Sequence, residues 1–146
     1  LKGEYSNLRC LGGAACDMEV NSGALACYGS SCGQICNGGC RSECADGALC
    51  LVNCGGGCRT TCSSGAECTM ASCTGGGCGQ DCQSGGTCVI EHCTGGGCYL
   101  ECHTGSQCRI EHCEGGQCHV TCHAGAQCAL ENCEGDRCNL GTVAAD

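Results

Sequence analysis

The chain has no phenylalanine, no tryptophan and no proline, and only three tyrosines among its 146 residues. A core built on large side chains is therefore excluded, and apolar burial alone cannot offset the ordering entropy of so long a chain. Only six residues are lysine or arginine, against fifteen aspartates and glutamates, for a net charge of −9. That balance argues against nucleic acid and anionic membrane surfaces as partners, and it favours solubility or cation binding. No apolar run approaches the roughly 18 residues that a spanning helix needs, so no membrane insertion is expected. The spacings C-x2-C and C-x-C, which mark zinc, cluster and metallothionein sites, do not occur. No Asn-x-Ser/Thr glycosylation site is present either.

What is there is cysteine, 26 residues of it, and glycine, 28 residues. Cysteine at this density marks a disulfide scaffold and an oxidising compartment. A secreted, extracellular protein is the expectation. The start at Leu1, without a basic-then-apolar leader, fits a mature secreted chain.

The cysteines keep time. From Cys58 one falls every ten residues, at Cys68, Cys78, Cys88, Cys98, Cys108, Cys118, Cys128 and Cys138. A second set, Cys62, Cys73, Cys82, Cys93, Cys102, Cys113, Cys122 and Cys133, follows alternately four and five places later, which doubles the period to twenty. A fixed period of this size means stacked structural units. Each ten opens with a strand-like piece whose third residue is mostly aliphatic, as at Met70, Ile90, Leu100, Ile110, Val120, Leu130 and Leu140. With a strand period of two, positions one, three and five share the inward face. Each ten closes on a glycine turn. Gly65, Gly85, Gly105 and Gly125 recur in one turn, and Gly75, Gly95, Gly115 and Gly135 in the other. Such recurrence implies a positive φ or no room for a Cβ.

Two strands and two turns per period describe an all-β, flattened two-sheet β-solenoid with about 20 residues per coil, its coils about 4.8 Å apart. Toward the N-terminus the beat degrades. Cys40, Cys44, Cys50 and Cys54 make a shortened coil, Cys27, Cys32 and Cys36 are looser, and Cys10 and Cys16 stand alone. Residues 1–31 read as an irregular cap and residues 32–146 as one continuous solenoid of about five to six coils.

Two cysteines at the ends of one strand piece lie about 13 Å apart, beyond the roughly 7 Å that a disulfide tolerates. Across a turn the distance closes. Pairing consecutive cysteines from Cys10–Cys16 through Cys133–Cys138 uses all 26 and encloses three to five residues each time. The rival scheme joins opposite ends of a coil, such as Cys58 to Cys73.

Architecturally, residues 32–140 resemble the disulfide-stapled antifreeze solenoids of insects, with their short Cys-rich coils and flat repeated faces. That resemblance implies ice binding through ranks of Thr or Tyr. Here Thr69 is followed in its column by Val89, Arg109 and Ala129, and Thr74 and Thr94 by Glu114 and Glu134, so no rank is sustained. The repeats are also similar to tandem Cys/Gly-repeat proteins predicted in bacterial secretomes, a group that implies no activity.

Among chemistry-bearing residues, Glu91, His92, Glu111 and His112 recur at the period and form weak candidates for a cation ladder. The plainer reading is a solvated face with Arg109 nearby. His103, His119, His123 and Thr121 match no catalytic spacing. The fragment Gly76–Asp81 touches a calcium nonapeptide pattern only once. No enzyme activity and no cofactor are expected. The C-terminal stretch around Leu140, Thr142 and Val143 keeps strand phase without Pro or Lys. It is the expected self-assembly edge of a structural protein that polymerises head to tail, with ice or surface binding as the alternative.

Overall fold

The computed structural model describes residues 2–63, 65–134 and 138–144, with the side chains of residues 2–6 left aside. It is all-β. In chain order the strands are β1 (Lys2–Leu11), β2 (Ala15–Tyr28), β3 (Ser31–Cys36), β4 (Arg41–Ala45), β5 (Leu49–Cys54), β6 (Arg59–Cys62) and β7 (Glu67–Cys73). There follow β8 (Gly79–Cys82), β9 (Thr87–Cys93), β10 (Tyr99–Cys102), β11 (Gln107–Cys113), β12 (His119–His123), β13 (Gln127–Leu130) and β14 (Asn139–Val143).

Every neighbouring pair of strands is parallel. The odd strands β3 to β13 form one ladder and the even strands β4 to β14 the other. The long β2 belongs to both, pairing through residues 15–20 with β3 and through residues 24–28 with β4. The result is a β-solenoid of about seven turns, more than the five to six that cysteine spacing alone suggests.

The extra turns lie in the first 31 residues. Instead of an irregular segment, β1 and β2 pair in register from Tyr5↔Ser22 to Leu11↔Tyr28 and continue the ladder. What is irregular is coil length. Partner offsets are 16 between β2 and β3, 18 between β3 and β5, and 20 from β7 onward.

The step from 18 to 20 takes two residues, one in the turn, where Cys73 and Cys78 enclose four residues against three between Cys54 and Cys58, and one on the odd side. Between β5 and β7 the register slips after Val52↔Met70, so that Asn53 faces Ser72 and Ala71 is extra. This is a β-bulge. It explains why C-x3-C and C-x4-C alternate. In the even strands positions one, three and five point inward, but in β7, β9 and β11 the second cysteine is inward only at position six. Cys68, Met70 and Cys73 are buried, while Ala71 and Ser72 are not.

All thirteen disulfides join consecutive cysteines across a turn, with Cα–Cα distances of 6.0–6.4 Å. Cys58 is bonded to Cys54, and Cys73 to Cys78. No cysteine is free. The staples line both edges of the flattened tube. Between them run two thin inward columns, and Met18, Val20, Leu25, Val52, Met70, Ile90, Leu100, Ile110 and Val120 supply most of their apolar bulk. At about 1.5–3 kcal/mol for each fully buried side chain, that is a small core for so long a chain.

The two glycine turns obey different constraints. Gly65, Gly85, Gly105 and Gly125 adopt φ of 74°, 81°, 81° and 85°, a conformation costly for any residue with a Cβ. In the opposite turn, at Gly75 and Gly95, the limit is space, because a Cβ there would overlap the backbone of the coil below at Gly55 and Gly75–Gly76. These turns stack tightly enough to carry the ladder around the corner. Gly57 N donates to Gly76 O, Gly77 N to Gly96 O and Gly97 N to Gly116 O, each at 3.0 Å. Gly135 lies outside the described residues.

Candidate functional site

A solenoid wall exposes columns of side chains repeated once per coil, so chemistry is set by which residue types share or neighbour a column. On the odd face His92 and His112 stack with ring centroids 5.0 Å apart. The Nδ1 of His112 is buried without a hydrogen-bond partner. Glu111 is occupied by Arg109, whose guanidinium lies 2.6 Å from its carboxylate. The four residues of the expected cation ladder are thus on one wall, but among the described residues they do not converge as a three-donor group. The same wall carries an apolar stretch nearer the N-terminus, where Ile35, Leu49 and Leu51 are about half exposed.

The even face is more organised. One outward column reads Arg41, Arg59, Gly79, Tyr99, His119 and Asn139. Tyr99 lies flat over Gly79, in the space that a Cβ would fill. The Arg59 guanidinium stacks on the Tyr99 ring at 5.6 Å, a cation–π contact. Arg9, Arg41, Arg59, Tyr28 and Glu43 line an open groove of about 480 Å³. Its hydrogen bond to Glu43, followed by burial, raises the Tyr28 hydroxyl above the ordinary tyrosine value.

The next outward columns hold Thr61, Asp81, Glu101 and Thr121, then His103 and His123. His103 Nε2 lies 2.9 Å from Asp81 Oδ1, and His123 Nε2 lies 3.2 Å from Glu101 Oε1. The two rings stack at 4.9 Å and 11°. His119 Nε2 is 2.9 Å from Thr121 Oγ1. These cross-coil pairs were not anticipated, yet the signal was in the chain. A separation of 22 is one full coil plus two residues, which places a side chain on the same wall, one level up and one position along.

At the C-terminal end, Leu140 occupies the inward column above Leu100 and Val120, and Thr142 stands where Cys82, Cys102 and Cys122 stand in earlier coils. Leu140 is 45% exposed and Val143 43%, because no further coil covers them among the described residues. At the other end β1 is the edge strand, with Leu11 61% exposed.

The sulfur clusters such as Cys73, Cys78 and Cys98 consist of disulfide sulfurs, which do not act as thiolate ligands. No described helix is long and apolar enough to cross a membrane. No family model matches the chain, and neither a curated protein nor a solved structure does. The fold and its stapling therefore define the class, a disulfide-stapled parallel β-solenoid of an oxidising environment.

Proposed function

We propose that this is a non-catalytic, secreted structural protein that assembles head to tail into a filament. The observation that carries the reading is the inward column ending on an open Leu140. In every earlier coil from Leu100 that position is covered by the next level, and an uncovered strand edge with apolar inward residues recruits another chain. The occupant that matches is a second copy. Among the described residues its β1 pairs only with β2, and its inward residues Leu8 and Cys10 stack on Leu25 and Cys27 just as Leu140 and Thr142 stack on Val120 and Cys122. Parallel pairing that keeps both columns aligned sets Leu140 against Leu8, Thr142 against Cys10 and Val143 against Leu11 of the next subunit. A contact between unlike ends does not close, so it propagates a fibre. The mixed outward column Asp17, Gly33, Leu51, Thr69, Val89, Arg109 and Ala129 supports this reading over ice binding, which needs a repeated rank.

Electron microscopy of the oxidised protein tests the proposal. Eight strand levels on the even face (β1, β2 and β4 to β14), at about 4.8 Å each, give an axial repeat of about 38 Å. Leu140→Lys with Val143→Lys is expected to leave monomers, whereas Val89→Lys on the outer wall leaves the filaments intact. Dispersed monomers at high concentration would overturn the reading, and thermal hysteresis from those monomers would shift it to ice binding.

A further inference from the structure

We propose that Asp81, Glu101, His103 and His123, on the outer wall of β8 to β12, form a binding site for a divalent transition-metal ion of the zinc class. Asp81 and Glu101 stand in register on adjacent strands. Two carboxylates in register repel unless a cation or counter-charge lies between them. Among the described residues no arginine forms a salt bridge with either one. The side chains that face them are imidazoles, His103 on Asp81 and His123 on Glu101. Oxygen of Asp81, oxygen of Glu101 and nitrogen of His103 all lie within 4.8 Å of one another. His123 lies outside that three-donor group, stacked on His103 and 3.2 Å from Glu101, and is the fourth donor of the proposed site.

Two imidazoles with two carboxylates are a zinc-type donor set, and imidazole equally suits copper and nickel. The spacing agrees with the chemistry. In a tetrahedral zinc site, with bonds of about 2.0–2.2 Å, neighbouring donors are about 3.3 Å apart. The observed imidazole–carboxylate distances of 2.9 and 3.2 Å sit close to that edge. An ion enters among Asp81, Glu101 and His103 by replacing the His103–Asp81 hydrogen bond, and rotation of the His123 side chain brings in the fourth donor. The frame keeps the backbone beneath these side chains in place. His103 and His123 each follow a stapled cysteine, Cys102 and Cys122. The carboxylates sit on strands held in the ladder on both sides. The net charge of −9 raises the local concentration of cations as well. This site is independent of filament formation, and it lies on the wall opposite the Glu91, His92, Glu111 and His112 ladder.

The test is a zinc chloride titration of the oxidised monomer, followed by calorimetry and by proton NMR of the five imidazoles. One equivalent is expected to bind, moving the His103 and His123 signals together while His92 and His112 stay in place. His103→Gln and Asp81→Asn are each expected to weaken binding at least tenfold, and His112→Gln to leave it unchanged, with circular dichroism and disulfide maps unaltered. Three results overturn the proposal: no saturation up to millimolar zinc, undiminished binding in both the His103→Gln and Asp81→Asn variants, or shifts centred on His92 and His112. Imidazoles that respond to pH but not to zinc make the cluster a proton-linked pair only, which refutes the metal site.

Discussion

Removing one central staple measures what the disulfides contribute. Cys93→Ala with Cys98→Ala opens a bond of sequence separation 5 between two fully buried residues. Loop-closure entropy for a ring of this size is worth about 2 kcal/mol. Each sulfur lost from the interior resembles the loss of a buried methylene, about 0.8 kcal/mol. The expected destabilisation is therefore about 3–4 kcal/mol. The damage stays local, because Cys73–Cys78 and Cys113–Cys118 still hold the turns below and above and each coil contacts mainly its neighbours. Guanidinium unfolding without reductant, followed by circular dichroism, reads the effect once mass spectrometry confirms the other twelve bonds. A loss below about 1 kcal/mol would mean that the ladder and the aliphatic columns carry the fold. Complete reduction is the limiting case. The β signal is expected to collapse at ordinary temperature, and its survival in excess reductant would refute the primacy of the staples.

Three further outcomes follow from particular side chains. Gln80 is fully buried with neither amide atom hydrogen-bonded to protein, so Gln80→Leu is expected to stabilise by about 1–3 kcal/mol, and a destabilised variant in the same unfolding assay would show that the amide has a polar role inside the tube. Gly79→Ala places a methyl group where the Tyr99 ring lies; the ring must lift off, which loses its contact with Arg59 and costs about 0.5–1 kcal/mol, read as a change in tyrosine fluorescence together with a lowered unfolding midpoint. Glu43→Gln removes the main cause of the raised Tyr28 value, so Tyr28 is expected to ionise at lower pH, seen as a downward shift in the 295 nm titration. The sign is that of a group held neutral: this contribution is complete below pH 10.0, the ordinary tyrosine value, and is lost as pH rises through the folded-state value.

The all-β solenoid, its twenty-residue coil and its stapling were legible because two periods coincide, a cysteine beat and a strand alternation, and each restricts the same face. The first coils were hidden because their lengths of 16 to 18 break the beat while preserving the strand pairing. Pairing depends on backbone register, which cysteine spacing reports only when turns keep a constant length. The bulge was visible in principle. Two inward cysteines separated by five places violate an alternation of two, and only an extra outward residue such as Ala71 resolves that. The interior polar residues Gln34, Ser42, Thr60 and Gln80 occupy third positions, so the pattern places them inside, but composition gave no reason to expect polar groups there. The His103–Asp81 and His123–Glu101 pairs needed the period applied diagonally, across columns rather than along one.

The same stapling explains how one thin tube carries three unrelated surfaces. Where a globular core couples wall to interior, every outward substitution risks the packing behind it. Here the inward positions are cysteine or a narrow column, and the outward positions meet only their own column and the next. An arginine–tyrosine groove, a histidine–carboxylate array and an apolar strip of Ile35, Leu49 and Leu51 can therefore stand on adjacent coils without compromise. The ends have no such freedom. Leu140 and Leu8 stand in the inward column itself, so a residue chosen there for solubility would also spoil the stack. In the proposed filament the two ends meet and that conflict disappears, which is the physical argument for the proposal to set assembly at the ends and the proposed metal site on a wall.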